Sequence, residues 1–484
     1  MSDNSIRNKA TSSLLWSSVE QFGSQGLSLI ITIVIARLIT PDDYGLIAML
    51  SIFMALSHVF INCGFSNYLI QNKQRTEKDF STIFFINVTI GILCYVILFI
   101  FAPAIAQFYN QPLLSSIIKL YSLTLVISSL ILVQRAKLYI DFKYRKLSAI
   151  TIISLIISGI VAIIMALNNW GVWTLVWYHL LQTIITSVLI WITSGWHPHL
   201  IFSVNIAKQA FYFGSKLLGA NLLSSGISNL YTLVIGKKFQ ATELGFYSRG
   251  LSLATVFPSN FANMLQQATY PVLCELQEDK EKLKTMFCNY IMMAGMICFP
   301  LMGLLFGISE PLVRVLLTDK WLPAIPFLQI LTIGYMFDPI MRLNSIILSV
   351  TGKTQLSLYS EIIKKAVLVS ILFLSLPFGI TWVAFGVIIY SLCDLIIVSF
   401  FVNKIISFSF WEELKLITPY LLFSFIPCLF ALLLNSLDIA SLMKLIISIP
   451  FCSLAYILLI RNFRRKQYDF ILSFLNNIIH KNNG

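Results

Sequence analysis

Ionisable side chains inside long apolar runs mark this chain's candidate chemistry. Charge is costly there, and such groups by default face a cavity or a partner. Glu20, Lys119, Lys216, Arg249, Asp338, Arg342 and Asp394 are so placed. A lone carboxylate in a low-dielectric span is suited to binding a proton or Na⁺. Glu20, Asp394 and Asp338 are the candidates for that role, and the sequence offers Asp394 no evident partner. Arginine grips oxyanions through a planar fork, whereas lysine offers a point charge. Each site also has a structural reading. Asp338 and Arg342, four residues apart, can neutralise each other on one helix face. Arg249 can extend to the headgroups. Glu361, Lys364 and Lys365 read as an interfacial cluster at the start of a span. No His, Cys, Asp or Glu set has metal-ligand spacing, so no metal or cofactor is expected. The 8 cysteines form no CxxC pair and read as small apolar residues.

The elements that must position these groups are membrane helices. The chain has 484 residues, 57% hydrophobic and 11% charged, against about 25% charged in soluble domains. Apolar runs of about 20 residues, the length a bilayer core demands, recur from end to end. Fourteen spans are expected: 14–36, 46–70, 81–106, 113–134, 147–167, 172–193, 211–235, 248–272, 286–308, 322–350, 356–376, 380–402, 416–435 and 439–460. The fold class is therefore all-α and polytopic. Pro258, Pro300 and Pro339 are expected to weaken or bend their helices.

The net charge of +13 raises a nucleic-acid reading that its distribution opposes. With the N-terminus inside, the outer loops hold Arg37, Lys237, Lys238, Arg249, Arg314 and Lys320, and most other cations lie on inner loops and tails. This is the positive-inside pattern, with both termini cytoplasmic. The basic charge then reports topology and contact with anionic lipids, not nucleic acid.

The chain also repeats itself. Ser24, Gly26, Ser28, Thr32, Val34, Ile35 and Gly45 recur 200 residues on as Ser224, Gly226, Ser228, Thr232, Val234, Ile235 and Gly245. The repeat predicts an N-terminal lobe over 1–200 with spans one to six. A second lobe over 201–403 holds spans seven to twelve, and 404–484 holds two extra spans and a basic tail. Equal orientation of the lobes places a pseudo-two-fold axis along the membrane normal.

Four segments carry a family resemblance: Ile35-Ala36-Arg37-Leu38-Ile39-Thr40-Pro41-Asp42-Asp43-Tyr44-Gly45, Cys63-Gly64-Phe65-Ser66-Asn67-Tyr68-Leu69-Ile70-Gln71, Tyr270-Pro271 through Asp279 with Lys282-Leu283, and Asp319-Lys320-Trp321 through Pro326 with Leu328-Gln329. Together they resemble Wzx-type polysaccharide flippases, in the branch of colanic-acid and teichuronic-acid exporters within the MOP exporter superfamily. Asn62 departs from the pattern, standing where many relatives have Asp.

The resemblance implies a MATE-like fold in a bacterial inner membrane, two six-helix lobes plus two C-terminal helices, around a central cavity. It implies alternating-access transfer of undecaprenyl-diphosphate-linked oligosaccharides to the outer leaflet, for O-antigen, capsule or exopolysaccharide. A H⁺ or Na⁺ gradient would supply energy. Membrane lipids and polysaccharide polymerase machinery would be its other partners. Such a substrate would need cations along its path: Lys216 near the inner mouth, Arg342 deeper, and Lys119 or Arg249 near the outer mouth. Gln21, Asn221 and Ser224 would line the sugar path. Two readings compete. A multidrug exporter of the same superfamily should favour an acidic, apolar cavity. A membrane polymerase or ligase should need a substantial outer loop, and the outer loops are short. The expected protein is therefore a carrier and not an enzyme.

Overall fold

The computed structural model describes residues 23–465, apart from the side chains of Lys216 and Thr354. Among the described residues there are helices and no strand. The chain divides into two compact units, Met1–Gly245 and Phe246–Gly484.

The first unit begins with α1 (Gly23–Leu38), α2 (Pro41–Asn62), α3 (Phe65–Gln71) and α4 (Glu77–Tyr109). It continues through α5 (Leu113–Tyr121), α6 (Leu123–Ser129), α7 (Leu132–Ile140), α8 (Tyr144–Leu167), α9 (Val172–Ser194) and α10 (Val204–Lys238). The first turn of α11 (Ala241–Glu275) closes it. Within this unit α10 packs on α2.

Local chemistry sets the helix starts. Thr40 caps α2: its N–H and hydroxyl donate to Asp43 Oδ2 at 3.0 and 2.6 Å, and Pro41 fills the first turn. Thr76 and Asp79 make the same reciprocal cap on α4. These bonds satisfy backbone groups that a helix end leaves open.

The predicted span 113–134 is broken. The pair Leu113–Ser129 and Leu132–Ile140 bends by 40°, with no Pro or Gly at the break. Polar side chains supply the cause. Asn87 Nδ2 donates to Ser129 O at 2.9 Å, and Ser129 Oγ donates to Val126 O at 2.7 Å. By contrast, Pro258 lies inside the single helix α11, and Pro300 inside another, α12 (Lys280–Gly307).

The second unit continues with α13 (Ser309–Leu317), a 3₁₀ turn at Asp319–Ala324, α14 (Ile325–Tyr335), α15 (Asp338–Val350) and α16 (Thr354–Ser375). Then follow α17 (Ile380–Ile406), α18 (Phe410–Asn435) and α19 (Ser441–Phe463). Pro339 sits in the first turn of α15, where its missing N–H does no harm. Phe287, Phe299, Ile340, Ile347, Val402 and Ile417 belong to one buried cluster.

Helices occupy the fourteen predicted positions wherever these fall within 23–465. Ten are long and apolar enough to cross a membrane, or eleven if the bent pair is one span. The count of fourteen is therefore not reached on apolarity. Only Gly23–Leu38 of the first predicted span is described as helix. α11 carries Arg249, Asn260, Asn263, Gln266 and Gln267, and α16 carries Glu361, Lys364 and Lys365. The surface is apolar to match: Ile92, Leu93, Ile97, Ile100 and Phe101 of α4 are all exposed, as lipid contact requires.

Candidate functional site

Two polar faces stand out on these helices, one in each unit. In the first unit, Leu217–Lys238 of α10 is the least buried of the ten spans, at 6%. Asn221, Ser224 and Ser228 are exposed along it. Their spacing of three and four places them on one face. Unsatisfied polar groups are costly in lipid, so such a face needs water or a polar ligand. Further round, Asn229 Nδ2 donates back to Ser225 O at 2.9 Å. Lys216 lies on the same helix, one turn nearer its start. Glu20 and Gln21 lie outside the described residues.

In the second unit the site is built on Arg342. The α14–α15 break at Met336–Phe337 starts a new helix at Asp338, which puts Arg342 one turn in. Arg342 Nε donates to Asp338 Oδ2 at 3.0 Å, and Nη1 donates to Asn263 Oδ1 of α11 at 3.0 Å. The predicted Asp338–Arg342 pair therefore forms, and a third group completes it. The segment Asp319–Val350 is the most buried of the spans, at 67%, yet the Arg342 side chain is 40% exposed and Asp338 18%. Two anchors, one on Nε and one on Nη1, hold the fork, and the exposed part of the side chain is open to a ligand. Two oxyanion oxygens would fit there.

The other sequence candidates scatter. Lys119 in the last turn of α5 stacks over the Phe99 ring at 5.0 Å. Arg249 is buried and lies over Trp321, 6.0 Å from the ring centre. Trp321 is itself fully buried. Lys237 Nζ donates to Phe108 O and sits over the Phe108 ring. Arg314 is engaged by Glu310 and Asp319 at 3.1 and 2.7 Å.

Asp394 corrects an expectation. Its partner is Lys364, with Nζ 3.4 Å from Oδ1, and Tyr390 Oη donates to Oδ2 at 3.3 Å. Lys364 also pairs with Glu361. Lys364 is 7% exposed, so it is a buried cation and not an interfacial one. The pairing crosses from α16 to α17, which periodicity along one helix cannot show. An ammonium thus already stands where an external cation would neutralise Asp394.

Sequence reasoning also missed Asn263 and Glu413. The signal for Asn263 was available: Asn260, Asn263, Gln266 and Gln267 recur at helical spacing in an otherwise apolar run. Glu413 carries no such signal in the sequence, and it is fully buried.

Solved structures share this fold. It matches the structure described as "Lipid II flippase MurJ, inward closed conformation" with a TM-score of 0.70 at 17% identity, covering 94% of this chain and 99% of that one. It also matches an inward-facing multidrug resistance MATE family transporter of the MOP superfamily, with a TM-score of 0.59 at 15% identity over 84% and 98% of the two chains. At these identities the likeness shows the fold.

Residues 34–326 match the family described as "Polysaccharide biosynthesis protein", and the chain belongs to that family. Among its relatives is the teichuronic acid biosynthesis protein TuaB of Bacillus subtilis (strain 168), 23% identical over 73% of this chain and 74% of the relative. Another is the lipopolysaccharide biosynthesis protein WzxC of Escherichia coli (strain K12), 26% identical over 68% and 67%. The succinoglycan biosynthesis transport protein ExoT of Rhizobium meliloti (strain 1021) is 21% identical over 66% and 65%.

Proposed function

We propose that this protein is a flippase for lipid-linked oligosaccharides, moving undecaprenyl-diphosphate-linked repeat units from the cytoplasmic to the outer leaflet. It would do so by alternating access, in a bacterial cytoplasmic membrane with both termini inside. The observation that carries the reading is Arg342: a half-exposed guanidinium aimed by Asp338 and Asn263 within an otherwise buried span. A diphosphate offers the paired oxygens that such a fork grips. The exposed Asn221, Ser224 and Ser228 supply hydrogen bonds for hydrated sugars. The relatives named for teichuronic acid, lipopolysaccharide and succinoglycan synthesis support a glycan cargo. The lipid tail would remain in the bilayer throughout. Polysaccharide polymerase machinery would receive the product. A cationic drug, the cargo of the alternative reading, would be repelled by Arg342.

The test is reconstitution in vesicles with a fluorescent undecaprenyl-diphosphate oligosaccharide, reading its exposure to an external quencher. Protein-dependent exchange between leaflets is expected. Exchange equal to that of empty vesicles, for every glycan of a representative set, removes the proposal.

A further inference from the structure

Glu413 sits in the first full turn of α18 with no exposed surface, and Asn344 of α15 and Ser399 of α17 beside it are equally buried. Asn344 Nδ2 donates to Glu413 Oε1 at 2.6 Å and to Ile340 O at 3.1 Å. Those two bonds fix which end of the amide faces the carboxyl. Glu413 Oε2, Asn344 Oδ1 and Ser399 Oγ are then all buried without a hydrogen-bond partner. Two of these atoms are acceptors only, so the cluster is short of a donor. Among the described residues no ion pair reaches Glu413. The nearby charges, Lys284 of α12 and Glu412 of α18, answer each other at 3.5 Å. Lys284 also donates to Ser407 O at 2.7 Å. Cys288 of α12 is the further titratable group facing the carboxyl from that helix.

An isolated carboxylate in such a place costs several kcal/mol, and such groups neutralise instead. One hydrogen on Oε2 turns an orphan acceptor into a donor and supplies what the cluster lacks. We propose that Glu413 is a proton-binding site, holding a proton on Oε2 against the Asn344 amide and the Ser399 hydroxyl. Glu413 lies near the start of α18, next in the chain to the half-exposed Glu412. The bound proton ties together three helices, α15, α17 and α18. Its release leaves a buried anion and loosens that junction. The proposal does not depend on the cargo, and its test needs none.

The experiment is infrared difference spectroscopy on the purified full-length protein. At about pH 7 we expect a protonated-carboxyl carbonyl band that disappears in Glu413→Gln. Glutamine keeps both sides of the amide pairing, its N–H standing in for the acid O–H, so that variant should fold. The wild type should lose the band and thermal stability together as pH rises, while Glu413→Gln stays flat. The sign follows from linkage: the folded state binds the extra proton, so stability falls as protons are withdrawn. Absence of a Glu413-dependent band at about pH 7 overturns the proposal. So does loss of the band when Na⁺ replaces choline at constant pH, which makes the site one for a metal cation. If Glu413→Gln does not fold, Asn344→Ser decides instead. Losing the amide should move the band to higher frequency, and an unmoved band overturns the proposal.

Discussion

Thr242 Oγ1 lies 3.0 Å from Asp42 Oδ1, a hydrogen bond between residues 200 apart. It joins a repeated turn to its own copy. The contact is reciprocal. A Cβ on Gly45 would lie 1.7 Å from Ala241 O, and one on Gly245 would lie 1.9 Å from Pro41 O. Each turn is therefore backed against the other, main chain to main chain, as a local two-fold relation requires. Cysteines at 42 and 242, with the 8 native cysteines replaced, should cross-link under mild oxidation. Gly45→Leu should cut the cross-linked fraction severalfold, because the obstructing atom is backbone. Gel mobility before and after reduction measures both. Equal cross-linking in the leucine variant would show that the turns separate freely.

Arg342 is the side chain whose loss should damage transport most. A charged hydrogen bond contributes about 1.5–3 kcal/mol, so Arg342→Ala should weaken cargo binding by roughly 10- to 100-fold. Arg342→Lys should recover part of this, keeping charge without the fork. Asn263→Ala should give a smaller loss by releasing one anchor. Vesicle exchange rates at matched protein density measure the series. A wild-type rate in Arg342→Ala would refute the assigned role.

The Lys364–Asp394 pair leads to a stability prediction. Asp394→Asn strands a buried ammonium, which typically costs about 3–5 kcal/mol. Glu361 also holds Lys364, so the loss should fall at the lower end. Lys364→Met with Asp394→Asn removes both charges and should restore most of the stability. Thermal unfolding in detergent, read as a double-mutant cycle, gives the coupling. Additive single losses would show that the pair does not interact.

Asn87 should matter out of proportion to its size. It holds Ser129 O at the bend of the broken span. Asn87→Leu leaves that carbonyl unpaired in a dry place, at a cost of about 1–3 kcal/mol. Unfolding temperature measures the loss. An unchanged value would place the origin of the bend elsewhere.

Much of the architecture was legible in the sequence because bilayer thickness imposes run length. Asp338 and Arg342 were legible as a pair because both lie on one helix. What was hidden depended on contacts between helices. Lys364 and Asp394 stand thirty positions apart, with a turn between them. Glu412 and Glu413 are neighbours in the chain, yet about 100° apart around α18. One caps Ser409 and meets Lys284, and the other is sealed against Asn344. The 40° bend carries no Pro or Gly, and one of the groups that hold it, Asn87, lies on α4.

The glycine contact between the two turns also constrains how this chain can change over generations. Duplicated segments ordinarily diverge, since one copy can vary while the other retains the original role. Here a larger residue at 45 strikes the backbone at 241, and a larger residue at 245 strikes the backbone at 41. Neither copy can grow alone. Each is held small by the other, and the duplication preserves its own signature.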